Sequence, residues 1–238
     1  MRCALLTSIC LASLLAACAP EGSSAYVSKN LLLDSDCKAD VDSDDFLAAG
    51  LYDLAAGYDW NGKRESKYCS RSYYMHLAIN SNLKANANSA TGRAEPNVLQ
   101  ITEAEVRLID IQQQTTIELD ESLPNPFRVK ANITLPPSTG SDPSMGVVPI
   151  ETIPAAYKSG LGDYVNEQIM AEVQIFGTTL GDVDIDFKPF SFPITLCRGC
   201  LVKCRPSGLS DSEIYGDACP DNAGADDRIC LDANCPAP

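Results

Sequence analysis

Basic side chains are scarce in this sequence. Its 238 residues include 18 Lys and Arg against 32 Asp and Glu, which gives a formal net charge of −14. Proteins bind nucleic acid largely by neutralising phosphates with Lys and Arg, and anionic lipid surfaces attract polybasic segments. The shortage therefore excludes nucleic acid as a partner and argues against anionic membranes.

Histidine and tryptophan are represented by one residue each, His76 and Trp60. Neither a GxSxG nucleophile elbow nor an HExxH helix occurs. His76 falls on the outward face of a predicted strand, where a surface role is more common than a general base, and Trp60 suits core packing. A carboxylate pair for glycoside hydrolysis stays open as an alternative, but nothing marks one. We expect no enzyme, no catalytic residue and no cofactor.

Apolar runs are too short to cross a bilayer, which takes about 20 residues. The run from Ala4 to Ala17 follows Met1 and Arg2 and ends in small residues. A charged start, a short apolar stretch and small residues at its end are typical of a secretory signal that is removed. We therefore predict a signal peptide over residues 1–17.

The signal ends in Leu15-Ala16-Ala17-Cys18. These four residues resemble the lipobox of bacterial lipoproteins, which implies a diacylglycerol on the Cys18 thiol, cleavage in front of it and a lipid-anchored mature protein. An aspartate directly after the lipidated cysteine would favour the inner membrane. The residue here is Ala19, which favours the outer membrane, and the periplasmic or the surface side is left open. The alternative is an ordinary secretory signal cut after Ala19.

Eleven cysteines occur, of which Cys3 and Cys10 leave with the signal and Cys18 takes the lipid. An even number of cysteines in an exported chain predicts disulfides, because that compartment is oxidising. Two lie near the front and six crowd the end, so a Cys37–Cys69 bridge plus three bridges in the tail is the simplest pairing. The predicted disulfide residues are Cys37, Cys69, Cys197, Cys200, Cys204, Cys219, Cys230 and Cys235.

Short alternating segments separated by Gly and Pro predict a mainly β protein, an antiparallel sandwich of immunoglobulin-like or similar type with a small disulfide-rich C-terminal tail. The clearest is 127–135, and 73–80, 98–111, 169–176, 183–187 and 190–196 follow, with 98–111 forming one long strand or two. Residues 46–60 could form a broken helix or a strand, and a short helix fits 154–166. We divide the chain into signal peptide 1–17, tether 18–35, sandwich 36–196 and Cys-rich tail 197–238.

The rest of the chain contains the segments AAGLYDLA, LAINSNL, GRAEPNVLQITEAEVRL and FSFPITLCRGCLVKC. They resemble lipoproteins abundant in myxobacteria and their relatives, over most of the chain from Phe46 to Cys204. The resemblance implies an envelope lipoprotein but brings no established activity.

Cys197-x-x-Cys200-x-x-x-Cys204 has the spacing of zinc ligands or of an exchangeable thiol pair. An oxidising compartment, five other cysteines and a distant histidine favour structural disulfides instead. Asp40, Asp42 and Asp44, the stretch 216–227, and Asp182, Asp184 and Asp186 have the oxygen content of calcium loops. They lack the full pattern, and a solvated acidic surface is the simpler interpretation, so we predict no metal site.

Two functions from different classes remain. The first is a non-enzymatic module held on the membrane by Cys18, contributing to envelope structure or binding another protein or a polysaccharide. The second is a thiol-redox or metal protein that uses Cys197, Cys200 and Cys204. The oxidation state of these cysteines distinguishes them.

Overall fold

The computed structural model describes residues 24–34, 38–55, 72–85, 96–204 and 230–232. The predicted signal peptide, Cys18, Cys37, Cys69, Cys219 and Cys235 lie outside these residues. The described strands, in chain order, are β1 (Ala25–Leu31), β2 (Phe46–Leu47), β3 (Gly50–Asp53), β4 (Tyr73–Ser81), β5 (Leu99–Asp110), β6 (Thr115–Thr116), β7 (Phe127–Leu135), β8 (Ser144–Ile153), β9 (Gln168–Thr179), β10 (Asp184–Asp186), β11 (Phe190–Cys197), β12 (Val202–Cys204) and β13 (Cys230–Asp232).

Two sheets pack face to face, which confirms the predicted β-sandwich. The first has the order β2-β1-β4-β8 and is antiparallel throughout. The second has the order β3-β11-β9-β5, with β6 and β7 along the far edge of β5 and β10 beside β9. All its pairings are antiparallel except that of β3 with β11. Strand order β1-β4-β8 facing β11-β9-β5-β7 is that of an immunoglobulin-type sandwich.

The strands that alternate most clearly in the sequence form as predicted. In β7, Phe127, Ala131 and Leu135 are buried, while Arg128 and Lys130 face solvent. Residues 99–110 form one twelve-residue strand rather than two. The described part of 46–60 forms the short strands β2 and β3, and 154–166 contains two single-turn 3₁₀ helices, Ala155–Lys158 and Gly162–Tyr164, in place of a longer helix.

The prediction of a tether over 18–35 is wrong for Ala25–Leu31, which form β1 and pair with β4. The register shifts between Val27 and Lys29, where a bulge leaves Ser28 without a cross-strand partner. A bulge breaks the period of two on which strand prediction depends, so this segment resembles a polar linker. The sandwich therefore begins at least eleven residues earlier than predicted.

Strand β8 has no counterpart among the predicted strands. It contains Gly146 and Pro149, both of which argue against a strand. Among the described strands, however, β8 pairs only with β4, and proline is tolerated on an edge strand because one side of the backbone has no ladder partner. Gly146 leaves room for the ends of the Ile133 and Leu135 side chains, which would have to shift if a Cβ were present.

The core lies between the sheets, and its aromatic end is formed by Tyr52, Tyr73 and Phe192, all almost fully buried. The rings of Tyr52 and Tyr73 meet edge to face with centroids 5.8 Å apart, an arrangement that aromatic pairs favour. Gly50 lets them do so, because a Cβ there would lie 2.8 Å from Cζ of Tyr73 and 3.1 Å from Cε1 of Phe192. The close approach of β3 to the first sheet thus depends on one glycine.

We expect Gly50→Ala to lower the free energy of unfolding by about 1–3 kcal/mol, the usual cost of overpacking a core. Urea denaturation under oxidising conditions measures it. Gly140→Ala is the matched control, because a Cβ at Gly140 meets nothing within 4 Å, and it should change stability by less than about 0.5 kcal/mol. Equal effects of the two substitutions would contradict the packing described for Gly50.

Candidate functional site

The predicted cysteine cluster begins where β3 and β11 end side by side. The two strands are parallel, with Cys197 opposite Asp53, so their carboxyl ends meet at the same edge of the sheet. The N–H of Leu54 donates to the carbonyl of Cys197 over 2.9 Å and extends the pairing past both strands. The sequence CRGC therefore leaves the sandwich directly beside the end of β3.

Cys197 and Cys200 form a disulfide. Cys197 is buried and Cys200 is exposed, so the bond runs from the core to the surface. Gly199, between them, has a φ of 78°, a conformation that glycine adopts without steric cost. The bridge closes the loop at the point where the sandwich passes into the Cys-rich segment.

A buried carboxylate holds this loop. Asp53 has no exposed surface, and its Oδ1 accepts hydrogen bonds of 2.8 Å from the N–H groups of Ala55 and Gly199. Its Oδ2 accepts one of 2.7 Å from the N–H of Leu201. A buried charge is costly unless it is hydrogen-bonded, and here both oxygens are engaged by the backbone. Asp53 thus joins the end of β3 to the residues on both sides of Cys200.

Lys158 adds a buried cation to the same region. Its side chain is 7% exposed, and its Nζ donates to the main-chain carbonyl of Asp53 over 3.2 Å. The Nζ also lies 4.9 Å from the ring centroid of Tyr52, within the range of a cation–π interaction. The first 3₁₀ helix, Ala155–Lys158, carries this lysine, so the crossing between β8 and β9 is tied to the end of β3.

Potential metal ligands converge here as well. A carboxylate oxygen of Asp53 and the sulfurs of Cys197 and Cys200 all lie within 4.8 Å of one another. A disulfide offers no thiolate, and thiolate is the form in which cysteine binds zinc. The arrangement is that of a stapled loop, and its chemistry would change only on reduction.

The other predicted cysteines are distributed as follows. Cys204 ends β12 opposite Asp232, and Cys230 begins β13 opposite Val202, in a two-stranded parallel ribbon within the predicted tail. Cys37, Cys69, Cys219 and Cys235 lie outside the described residues, so the remaining disulfides stay predictions.

The acidic stretches are exposed where they are described. Asp40 Oδ1 accepts from the N–H of Asp42 over 2.9 Å and closes a turn. Asp184 and Asp186 face solvent on β10, while Asp182 lies in the preceding turn with a φ of 61°. The stretch 216–227 and Trp60 lie outside the described residues. Within the described ranges, neither acidic cluster brings three carboxylates as close together as the ligand atoms at Asp53.

A shallow cleft of about 410 Å³ opens on the outer face of the second sheet, lined by Thr102, Glu103, Arg128, Val129, Lys130 and Asn132. Arg128 crosses it, with its guanidinium 4.8 Å from the Phe176 ring centroid and its Nη1 2.6 Å from Glu103 Oε1. The cleft lies beside the register shift at Thr102. Arg128 and Glu103 pair with each other, which makes the cleft a polar surface feature.

His76 lies on β4 opposite Pro149. The backbone N–H of His76 donates to Oδ1 of Asn30 over 2.8 Å. His76 alternates with the buried Met75 and Leu77, as predicted for the outward face of the strand, but its side chain is half-buried rather than fully exposed. Burial disfavours the charged imidazolium and lowers the pKa of His76 to about 4. The imidazole is therefore neutral at ordinary pH.

Two residues of the site, Asp53 and Lys158, were not predicted from the sequence. Asp53 lies 146 residues from Gly199 and 148 from Leu201, and Lys158 lies 105 residues from Asp53. The only local signal is a single charge within an apolar segment, LYDLAA or PAAYKS. Nothing in that signal identifies the partner.

No family model matches the chain, and a comparison with curated proteins finds no significant match. The contacts of its own residues are therefore the basis for any functional assignment.

We expect Asp53→Asn to lower the free energy of unfolding by about 1–3 kcal/mol, because the carboxylate loses its charge and an amide N–H₂ would face a backbone N–H. Urea denaturation of the oxidised protein measures this. Asp184→Asn, on exposed β10, is the control and should stay within about 0.5 kcal/mol of the parent. If both variants unfold at the same urea concentration, Asp53 does not hold the loop.

We expect the His76 imidazole to titrate near pH 4, against about 6.5 in the unfolded chain. The unfolded state then binds the proton first, so stability is present above pH 6.5 and is lost as the pH falls from 6.5 to 4, by at most about 3 kcal/mol. As the only histidine, it gives a single set of imidazole NMR signals to follow. His76→Gln should remove this part of the pH dependence, and a measured pKa above 6 would contradict the burial.

Proposed function

We propose that the protein is a lipid-anchored module of the bacterial envelope, held in the outer membrane through acylated Cys18. The observation that carries the proposal is that an immunoglobulin-type sandwich starts at Ala25, seven residues after the cysteine of Leu15-Ala16-Ala17-Cys18. A linker of that length between Cys18 and the sandwich keeps the domain beside the bilayer.

None of the described residues forms a helix that is long and apolar enough to cross a membrane.

Within this proposal the role is structural or binding rather than catalytic. The buried charged groups at the end of β3 support it, because the Asp53 carboxylate and the Lys158 ammonium are engaged in holding the chain. Immunoglobulin-type sandwiches present their end loops and edge strands to partners. Another envelope protein or a polysaccharide is the partner class that we propose.

A thiol-redox or metal function is the second candidate, favoured by the approach of Asp53, Cys197 and Cys200 to within 4.8 Å. This function requires reduction of the Cys197–Cys200 disulfide. It also requires the Asp53 carboxylate to release backbone N–H groups before it can take a proton or a metal ion. Because three backbone donors already engage that carboxylate, we rank it below the structural role.

We expect Cys18→Ser to move the protein from the membrane pellet to the soluble fraction, because the thiol that takes the lipid is gone. Fractionation of cells that export the parent and the variant measures this. Ala19→Asp is the companion variant, since an aspartate after the lipidated cysteine favours the inner membrane, and it should move the protein there without releasing it. Membrane retention of Cys18→Ser would contradict the anchor.

A further inference from the structure

One end of the sandwich must face the bilayer if Cys18 carries the anchor. Seven residue steps separate Cys18 from Ala25, and a fully extended chain spans at most about 25 Å over that distance. The first residue of β1 is therefore always close to the membrane. We call the end of the sandwich that contains Ala25 the anchor end.

The strand registers show which residues share the anchor end. Ala25 pairs with Ser81, Ser81 pairs with Ser144, and in the second sheet Leu99 pairs with Thr179. Hydrogen bonds between loops join these strand ends across both sheets, from the N–H of Asn82 to Ser24 O (2.8 Å), of Ser138 to Leu83 O (2.7 Å) and of Gly181 to Pro96 O (2.9 Å), and from Nδ2 of Asn97 to Lys84 O (2.7 Å). The anchor end is thus a single connected surface.

Exposed apolar side chains are concentrated at this end. Five large apolar residues are exposed in the described part of the chain, and four lie here: Tyr26 (38%), Met145 (42%), Leu180 (47%) and Val183 (58%). Leu180 and Val183 belong to the β9–β10 turn, which is closed by the N–H of Thr179 donating to Val183 O over 2.9 Å. The fifth, Phe46 (58%), lies on β2 at the opposite end, beside Leu31.

We propose that the anchor end is a membrane-contact surface, with Leu180 and Val183 inserted at the boundary between headgroups and acyl chains. The proposal rests on the proposed lipid anchor, which brings a bilayer within reach of these residues. Apolar side chains on a lipid-anchored protein gain by entering that boundary. The bilayer is therefore the occupant that the position of Cys18 selects.

The charges around the β9–β10 turn limit how deeply the turn enters the bilayer and which lipids it can contact. Asp182 in the same turn, Asp184 after it and Asp142 on the neighbouring loop are exposed carboxylates. The cation of Lys84 is directed to Oγ of Ser138 and the carbonyl of Gly140. Carboxylates stay in the hydrated headgroup layer and are repelled by anionic lipid. The contact is therefore shallow and suits zwitterionic phospholipid.

Tryptophan fluorescence in vesicles tests this contact. The acylated full-length variants Val183→Trp and Phe46→Trp are reconstituted in phosphatidylcholine and phosphatidylethanolamine vesicles whose acyl chains carry bromine, and the parent, which has only Trp60, gives the background. The two positions are equally exposed, so they differ in the end they occupy. For a side chain about 5–10 Å into the interface, we expect at least about twofold stronger quenching at position 183 than at position 46, and the same at Leu180→Trp.

Flotation of the same vesicles separates the possible failures. If the protein floats but positions 180 and 183 are quenched no more than position 46, the membrane contact is wrong while the anchor stands. If quenching is equal and strong at all three positions, the anchor end has no preference for the bilayer, and the proposal is likewise overturned. If the acylated protein does not float, lipid anchoring itself fails and this contact fails with it.

Discussion

The two sheets of the sandwich bury their apolar faces against each other, and the turns and chain crossings are arranged around that packing. Strands β4, β5 and β9 place Met75, Leu77, Val106, Leu108, Val173 and Ile175 at 0–1% exposure between the layers. Burial at this level contributes about 25 cal/mol per Å² of apolar surface. The chain crossings and edge strands are compatible with that packing, and the glycines at positions 50 and 146 leave room for the core side chains.

Asp53 is the clearest case of a charged group that enters this interior and is satisfied there by the backbone. Its three hydrogen bonds link β3, the CRGC loop and the start of the Cys-rich segment. The carboxylate binds backbone N–H groups rather than sulfur, so the loop has a support that is independent of the disulfide. The pairing of β3 with β11 at this edge of the sheet is therefore kept where the chain continues into the cysteine-rich extension.

The sequence predicts those parts of the fold in which local pattern and tertiary environment agree. Strand β7 alternates without interruption, and β5 and β9 each form one long strand close to the predicted bounds. Strands β1 and β8 escape prediction because a bulge at Ser28 and the proline and glycine of an edge strand disturb the local pattern. The sequence predicts that Cys197 and Cys200 are disulfide-bonded but not that they pair with each other, and Asp53 and Lys158 act through partners more than 100 residues away.

The protein can be extracted from membranes in mild detergent and its intact mass measured in native and then in denatured form. This mass shows whether Cys18 carries a lipid. We expect a lipid adduct on Cys18, a mass lower by eight hydrogens for four disulfides among the remaining cysteines, and no metal. An unmodified Cys18 would contradict the anchored module. Free thiols at Cys197 and Cys200 or a bound metal ion would instead make the cysteine cluster the functional centre.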